Sequence, residues 1–261
     1  MDIDFFRQIG RKLFKEISER KLHLSIKSLG KGASGDETFL VDKLAEDIII
    51  QSIEKAGLNL NVITEEAGSK IVEGQNQSII IDPIDGSKNA VSGIPFFSTS
   101  IAIADGNTLR SLKIGYIINL INADEFWAMK GKGAFMNGIK IETKKKYIPF
   151  IVAFESSSPY SDLQRLLPLL KRAYRVRCFG STALDLAYLS AGMLTIFISL
   201  SPSRIFDFSA GILIAKEAEA TVTDVEGREI DELPVRFTTR TSLLVSASEE
   251  IHKKALKLLR A

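Results

Sequence analysis

Two aspartates three residues apart, Asp82 and Asp85, close the apolar run Ile79-Ile80-Ile81-Asp82-Pro83-Ile84-Asp85-Gly86-Ser87. An apolar strand that ends in acids presents them at its carboxyl end, where layered α/β folds collect their ligands. The two carboxylates, and the main-chain carbonyl of Ile84 between them, are hard oxygen donors of the kind Mg²⁺ takes. Pro83 stiffens the turn. Gly86 lets backbone approach a ligand because it has no Cβ. Ser87 can cap the following turn, whose free N–H groups suit an anion. A plain Asx-turn would use the same residues, so further acids are needed to separate the two readings.

The sequence supplies them. Glu65-Glu66 follows the short strand-like stretch 61–64 and makes a second strand-end pair. Asp207 stands between Ile205-Phe206 and Phe208, and a charge in such surroundings is paired or bound to metal. It would also serve as the N-cap of a helix over 208–218. Asp42 and Glu46, four apart, share one face of a helix, and Glu46 reads as part of a solvated face. Asp36 caps that same helix or reaches into the Gly30–Gly35 loop.

Other chemistries lack their residues. The 261-residue chain has one cysteine, Cys178, which forms no internal disulfide and no CxxC site. It has two histidines, His23 and His252, far apart in sequence and both read as structural, so a histidine-based nucleophile or metal centre has little to draw on. The net charge of +2 shows no nucleic-acid or membrane footprint. The N-terminus has no signal-peptide core, and apolar runs such as 196–200 fall far short of the ~20 residues that span a bilayer. The expectation is a soluble cytoplasmic protein. Gly30-x-Gly32-x-x-Gly35 matches a dinucleotide fingerprint by letter, but the acid about 20 residues on, Glu54, lies in a helix and no βαβ crossover surrounds it. Lys144-Lys145-Lys146 reads as a solvated turn.

The elements that must position the acids follow from periodicity. Helices are predicted over 4–20 and 37–55, the latter ended by Gly57. Strands are predicted over 61–64 and 78–81, the second stopping at Asp82-Pro83. An antiparallel meander follows over 98–104, 113–120 and 124–129. The second half alternates: a strand near Val152, helix 161–171, strand 174–178, helix 182–191, strand 195–200, helix 207–218, strands 221–224 and 242–247, and helix 249–260. This is an α/β layered pattern, divided into an N-terminal α+β lobe over 1–150 and a C-terminal α/β lobe over 151–261.

The chain resembles the inositol monophosphatase superfamily of Mg²⁺-dependent, lithium-sensitive phosphatases. It is most similar to the archaeal branch that hydrolyses both inositol 1-phosphate and fructose 1,6-bisphosphate. The resemblance rests on Gly35-Asp36-Glu37-Thr38 with Asp42, on Glu65-Glu66, and on Asp82-Pro83-Ile84-Asp85-Gly86-Ser87-Lys88-Asn89. It continues through Gly93-Ile94-Pro95-Phe96-Phe97, the run 130–138, Gly180-Ser181, and Asp207 with Ser209-Ala210-Gly211. It implies a five-layer α-β-α-β-α sugar-phosphatase fold and a homodimer. It implies two or three Mg²⁺ per site, replaceable by Mn²⁺ and inhibited by Li⁺. Glu65, Asp82, the Ile84 carbonyl, Asp85 and Asp207 would bind two metals. Glu66 would help place a further, weaker metal, and Asp36 lies in the loop that brings a third. Asp42 and the Ser87 hydroxyl would orient and deprotonate the attacking water, and the Gly86 and Ser87 N–H groups would hold the phosphate.

One position departs from the family pattern. Inositol-preferring relatives carry a glutamate seven residues before the last metal aspartate; here that residue is Leu200. Arg177 or Arg204 could instead grip a second phosphate bidentately, with Thr182 lining the sugar site. The expected function is Mg²⁺-dependent hydrolysis of a sugar or polyol phosphate, fructose 1,6-bisphosphate first and inositol 1-phosphate second, with a place in gluconeogenesis. The alternatives are a 3′-phosphoadenosine 5′-phosphate phosphatase and a non-catalytic metal- or phosphate-binding regulator on the same fold.

Overall fold

The computed structural model describes residues 2–19, 27–143 and 150–260; His23 and Lys144–Lys146 lie outside them. Helix α1 (Ile3–Leu13) passes into a π-helical turn (Phe14–Glu19) where one continuous helix was expected. The wider turn keeps Ile17 buried and lets the Ser18 hydroxyl donate to the Leu120 carbonyl. Strands β1 (Ser28–Lys31) and β2 (Glu37–Phe39) form an antiparallel hairpin. The glycine-rich run therefore turns a hairpin and does not open a helix after a strand, which removes the dinucleotide geometry. Helix α2 (Leu40–Lys55) starts later than predicted because 37–39 is extended and paired to β1.

An eight-stranded sheet follows, built from β3 (Asn61–Thr64), β4 (Gly68–Lys70), β5 (Gln77–Asp85), β6 (Ser98–Asp105), β7 (Leu112–Asn119), β8 (Glu125–Met129), β9 (Gly133–Met136) and β10 (Ile139–Ile141). Its order is β10-β9-β8-β7-β6-β5-β3-β4, antiparallel except for β3 beside β5. Helix α3 (Ser87–Ser92) leaves the end of β5. The predicted meander is β6 to β8; the short strands β4, β9 and β10 were not anticipated.

The second sheet contains β11 (Ile151–Glu155), β12 (Arg175–Arg177), β13 (Ile196–Arg204), β14 (Thr221–Thr223) and β15 (Arg240–Ser246), in the order β12-β11-β13-β15-β14. Helices α4 (Pro159–Leu170), α5 (Thr182–Ser190), α6 (Ile205–Glu217) and α7 (Glu249–Leu259) alternate with its strands as the sequence predicts. His252 is buried on α7 between the Thr223 and Ser246 hydroxyls, a structural role.

Side-chain alternation makes the layers. Ile79, Ile81, Ile101, Ile103, Ile114, Tyr116 and Ile118 face α1 and α2. Ile80, Ala102 and Ile117 face the other way, onto α5 and α6, where Phe197, Leu243 and Val245 of the second sheet meet them. Ile196, Ile198 and Leu244 face α4 and α7. The result is α1/α2, sheet, α5/α6, sheet, α4/α7. Helix α6 is buried over Ile205–Ala215, as a helix between two sheets must be.

The first sheet approaches α6 at Gly115, where an added Cβ would lie 2.7 Å from the Ala210 carbonyl oxygen. Gly115→Ala is expected to push the helix off the sheet and cost about 1–3 kcal/mol, the usual range for overpacking. Urea unfolding measures it; an unchanged midpoint would contradict the close approach.

Candidate active site

In a regular strand, residues three apart face opposite sides. Asp82 pairs with Ser100 and Asp85 with Ser98, so β5 uses one residue more than β6 between them. This bulge turns both carboxylates toward the α5/α6 layer. It also answers the expectation that the strand stops at Asp82-Pro83. Pairing of β3 to β5 ends at Thr64↔Ile81, so Pro83 owes β3 no N–H, and its carbonyl accepts from the Thr99 hydroxyl at 2.7 Å. The parallel pairing places Glu65, the next residue of β3's chain, beside Asp82, with the Glu65 N–H donating to the Ile81 carbonyl at 3.3 Å.

Two helices each bring an aspartate by their third residue. Asp42 of α2 accepts from the Phe39 N–H at 2.6 Å, and Asp207 of α6 accepts from the Arg204 N–H at 2.7 Å. Each thereby satisfies a free N–H at a helix start, where negative charge is favoured. The predicted N-cap role of Asp207 is corrected: α6 begins at Ile205. The predicted cap role of Asp36 is corrected too, since Asp42 does that work. Asp36 is an exposed residue of the β1–β2 loop, ion-paired to Arg204 at 2.5 Å.

Gly86 follows Asp85 in a left-handed conformation, φ 93°. A Cβ there would lie 2.9 Å from the Gly180 carbonyl oxygen and 3.2 Å from that of Phe96, so only glycine fits. The Ser87 hydroxyl lies between the Ile84 carbonyl, to which it donates at 2.9 Å, and the Asp42 carboxylate. Asp85 is anchored across the layers by the Ser181 hydroxyl and by the Ala183 N–H at 2.8 Å. Thr182, buried, begins α5 beside them. Asn89 donates to the Phe96 carbonyl at 2.8 Å and the Phe179 carbonyl at 2.6 Å, tying this loop to the second half of the chain.

Glu65, Asp82, Asp85 and Asp207 are all buried and repel one another. Burial first, then mutual repulsion, pushes Glu65 up to about 8 and Asp82 well above the carboxylate range. Burial, opposed by the Ser181 hydrogen bond, leaves Asp85 at about 7. Asp42 is held at about 7, chiefly by burial. Glu66 is raised by burial against a hydrogen bond from Thr38. The Arg204 guanidinium answers these acids directly, 2.8 Å from Glu65, 3.1 Å from Asp207 and stacked over Phe206, and Arg240 adds a favourable charge at Asp207.

The donor set fits a hard divalent cation. It is all oxygen, it carries excess negative charge, and Asp82 Oδ1 and Asp42 Oδ1 are buried without a hydrogen-bond partner. With Arg204 inserted among them, no three acid, histidine or cysteine side chains among the described residues are closed around a single metal-sized point.

The structure thus gathers Asp36, Asp42, Glu65, Glu66, Asp82, Asp85, Ser87 and Asp207 at one end of the sheets. Arg204 joins them, engaged by carboxylates and not turned outward for a second phosphate. Arg177 ends the edge strand β12 and donates to the Val176 carbonyl at 2.9 Å. Leu200 packs against the outer core. Glu46 overturns its expected solvated role: it is 2 % exposed and hydrogen-bonded within the protein. Its i, i+4 spacing from Asp42 was a signal, since a face holding one buried acid can hold another.

Acids gathered at strand ends of a layered α/β fold, beside a tight glycine turn, are the arrangement of a metal-dependent phosphatase. The chain belongs to the inositol monophosphatase family, whose pattern matches residues 1–261. It is 33 % identical over 259 residues to a fructose-1,6-bisphosphatase/inositol-1-monophosphatase of Methanocaldococcus jannaschii, covering 97 % of this chain and 98 % of that protein. It is 34 % identical over 239 residues to a protein of the same name from Methanothermobacter thermautotrophicus, covering 87 % and 85 %. A crystal structure described as an inositol monophosphatase-fructose 1,6 bisphosphatase superposes with a TM-score of 0.85 at 31 % identity, covering 99 % of this chain and 100 % of that one. No helix among the described residues is long and apolar enough to cross a membrane.

The raised acids dictate a pH response. Unfolded carboxylates titrate near 4, whereas folded Asp42, Asp85 and Glu65 titrate at about 7, 7 and 8. Between these limits the folded state binds more protons, so its stability falls as pH rises. Thermal melts in chelator should therefore show a lower Tm at about pH 8 than at about pH 5, and Mg²⁺ should raise the Tm more at the higher pH. A Tm that rises with pH in chelator would contradict the crowding of these acids.

Proposed function

We propose that the chain hydrolyses a phosphomonoester on a sugar or polyol, with fructose 1,6-bisphosphate as lead substrate and inositol 1-phosphate second. The observation that supports this most is the gathering of Glu65, Asp82, Asp85 and Asp207 from separate segments, next to the Gly86-Ser87 turn and Asp42. Glu65, Asp82, Asp85, Asp207 and the Ile84 carbonyl would hold Mg²⁺, with Glu66 and Asp36 toward a further ion. Bound there, the metal neutralises the phosphate dianion and lowers the pKa of water.

The chain's own residues do the rest. Gly86 and Ser87 offer backbone N–H groups to phosphate oxygens where no side chain intervenes. Asp42, titrating at about 7, suits a group that takes a proton from the attacking water. The Ser87 hydroxyl beside it would help orient that water. The bisphosphate leads because Leu200 offers no acceptor to ring hydroxyls, while Arg177, at the end of β12, is the arginine left for a second phosphate once Arg204 is engaged by carboxylates. The reading includes Li⁺ as an inhibitor, a homodimer as working form, and a cytoplasmic place in gluconeogenesis.

Phosphate release with Mg²⁺ from fructose 1,6-bisphosphate, inositol 1-phosphate and 3′-phosphoadenosine 5′-phosphate tests it. Turnover of the bisphosphate should be highest by kcat/KM, and Asp85→Asn should lose about a hundredfold or more. Arg177→Ala should raise KM for the bisphosphate about tenfold with kcat retained. Wild type matching Asp85→Asn on all three substrates would contradict the reading, and an unchanged KM would remove Arg177 from substrate recognition.

A further inference from the structure

We propose that Glu46 is a positioning residue for the metal site, holding from α2 the turn that carries Glu65 and Glu66. The inference rests on the reading of Glu65 as a metal ligand. Glu46 Oε1 accepts from the Thr64 hydroxyl at 2.8 Å and from the Ala67 N–H at 3.1 Å. Thr64 and Ala67 are the residues on either side of Glu65-Glu66, so one carboxylate oxygen spans the turn. Glu46 Oε2 takes the Lys43 ammonium at 3.3 Å.

The turn is gripped from its other side by the β1–β2 loop and by Thr38 of β2. The Ala33 N–H donates to the Glu66 carbonyl at 2.9 Å, the Ser34 N–H to the Glu65 carbonyl at 3.2 Å, and the Thr38 hydroxyl to the Glu66 carboxylate. That loop carries the exposed Asp36, whereas Glu46 belongs to a long helix packed on the sheet. Glu46 is thus the rigid anchor. One helical turn before it, on the same face, stands Asp42. Helix α2 therefore fixes the water-orienting carboxylate and the Glu65 turn against each other. A buried carboxylate is costly unless hydrogen-bonded, and here its donors are backbone and side-chain groups of that turn. Partners that orient a metal ligand commonly change metal affinity 10–100-fold when removed.

The test is Mn²⁺ binding to metal-stripped protein, with free Mn²⁺ counted by electron paramagnetic resonance, so that no turnover is needed. Glu46→Ala should weaken binding about 10–100-fold. Glu46→Gln keeps an acceptor oxygen for Thr64 and Ala67 and should remain within about threefold of wild type. Wild-type affinity in a folded Glu46→Ala, or equal losses in both variants, would overturn the proposal. If Glu46→Ala does not fold, Thr64→Val decides: it removes one of the two bonds and should weaken Mn²⁺ binding several-fold, and unchanged affinity would overturn the proposal. A wild type that binds no Mn²⁺ would instead sink the metal assignment for Glu65, and this inference with it.

Discussion

One extra residue in β5, between Asp82 and Asp85, is the constraint on which the site depends. Without it, a three-residue spacing would aim one carboxylate into the α5/α6 layer and the other into the α1/α2 layer. With it, both face the middle layer, and Asp85 reaches Ser181 and Ala183 at the start of α5. The bulge thus joins sheet chemistry to the second half of the chain. Gly86 then permits contact with the Gly180 carbonyl that a side chain would block. Asp207, reaching the same place from α6, shares a layer with α5, so the inner helices set both sides of the acid cluster.

The cost of this arrangement is electrostatic. Four buried carboxylates in mutual repulsion are answered chiefly by the guanidinium of Arg204, with Arg240 adding to it at Asp207. A fold selected for stability alone would place apolar residues there. The burden is carried by the large apolar layers around the site, above all by α6, whose buried stretch from Ile205 to Ala215 packs on both sheets. Function and stability are therefore separated in space but share one helix: its first turn carries Asp207, and the remainder carries the core.

Much of this is legible in the residues. The acids at the ends of apolar runs, Glu65, Asp82 and Asp85, announce themselves because strand ends are where such groups become useful. Asp207 is visible from its apolar neighbours. The alternating second half reads correctly because its helices and the strands β13 and β15 are long enough to show their periods, and they bracket the short β12 and β14. The rest is hidden for identifiable reasons. Three-residue strands such as β4 and β10 have too few residues to show a period. The extended 37–39 segment is set by pairing to 28–31, a contact that local pattern does not encode. Spacing put Glu46 on the face of Asp42 but could not say what covers that face. Arg204 as counter-ion was likewise out of reach, since arginine beside an aspartate in sequence does not reveal which other acids converge on it.

The central claim is that these carboxylates form one divalent-metal site at the bulge. A crystal structure grown with Mn²⁺ and phosphate, with anomalous difference density measured at the manganese edge, tests it most directly. The account predicts anomalous peaks bounded by Glu65, Asp82, Asp85, Asp207 and the Ile84 carbonyl, with phosphate on the Gly86-Ser87 turn and Arg204 displaced from Glu65. Mn²⁺ bound elsewhere, or no anomalous density at these acids with Arg204 still paired to Glu65, would contradict it.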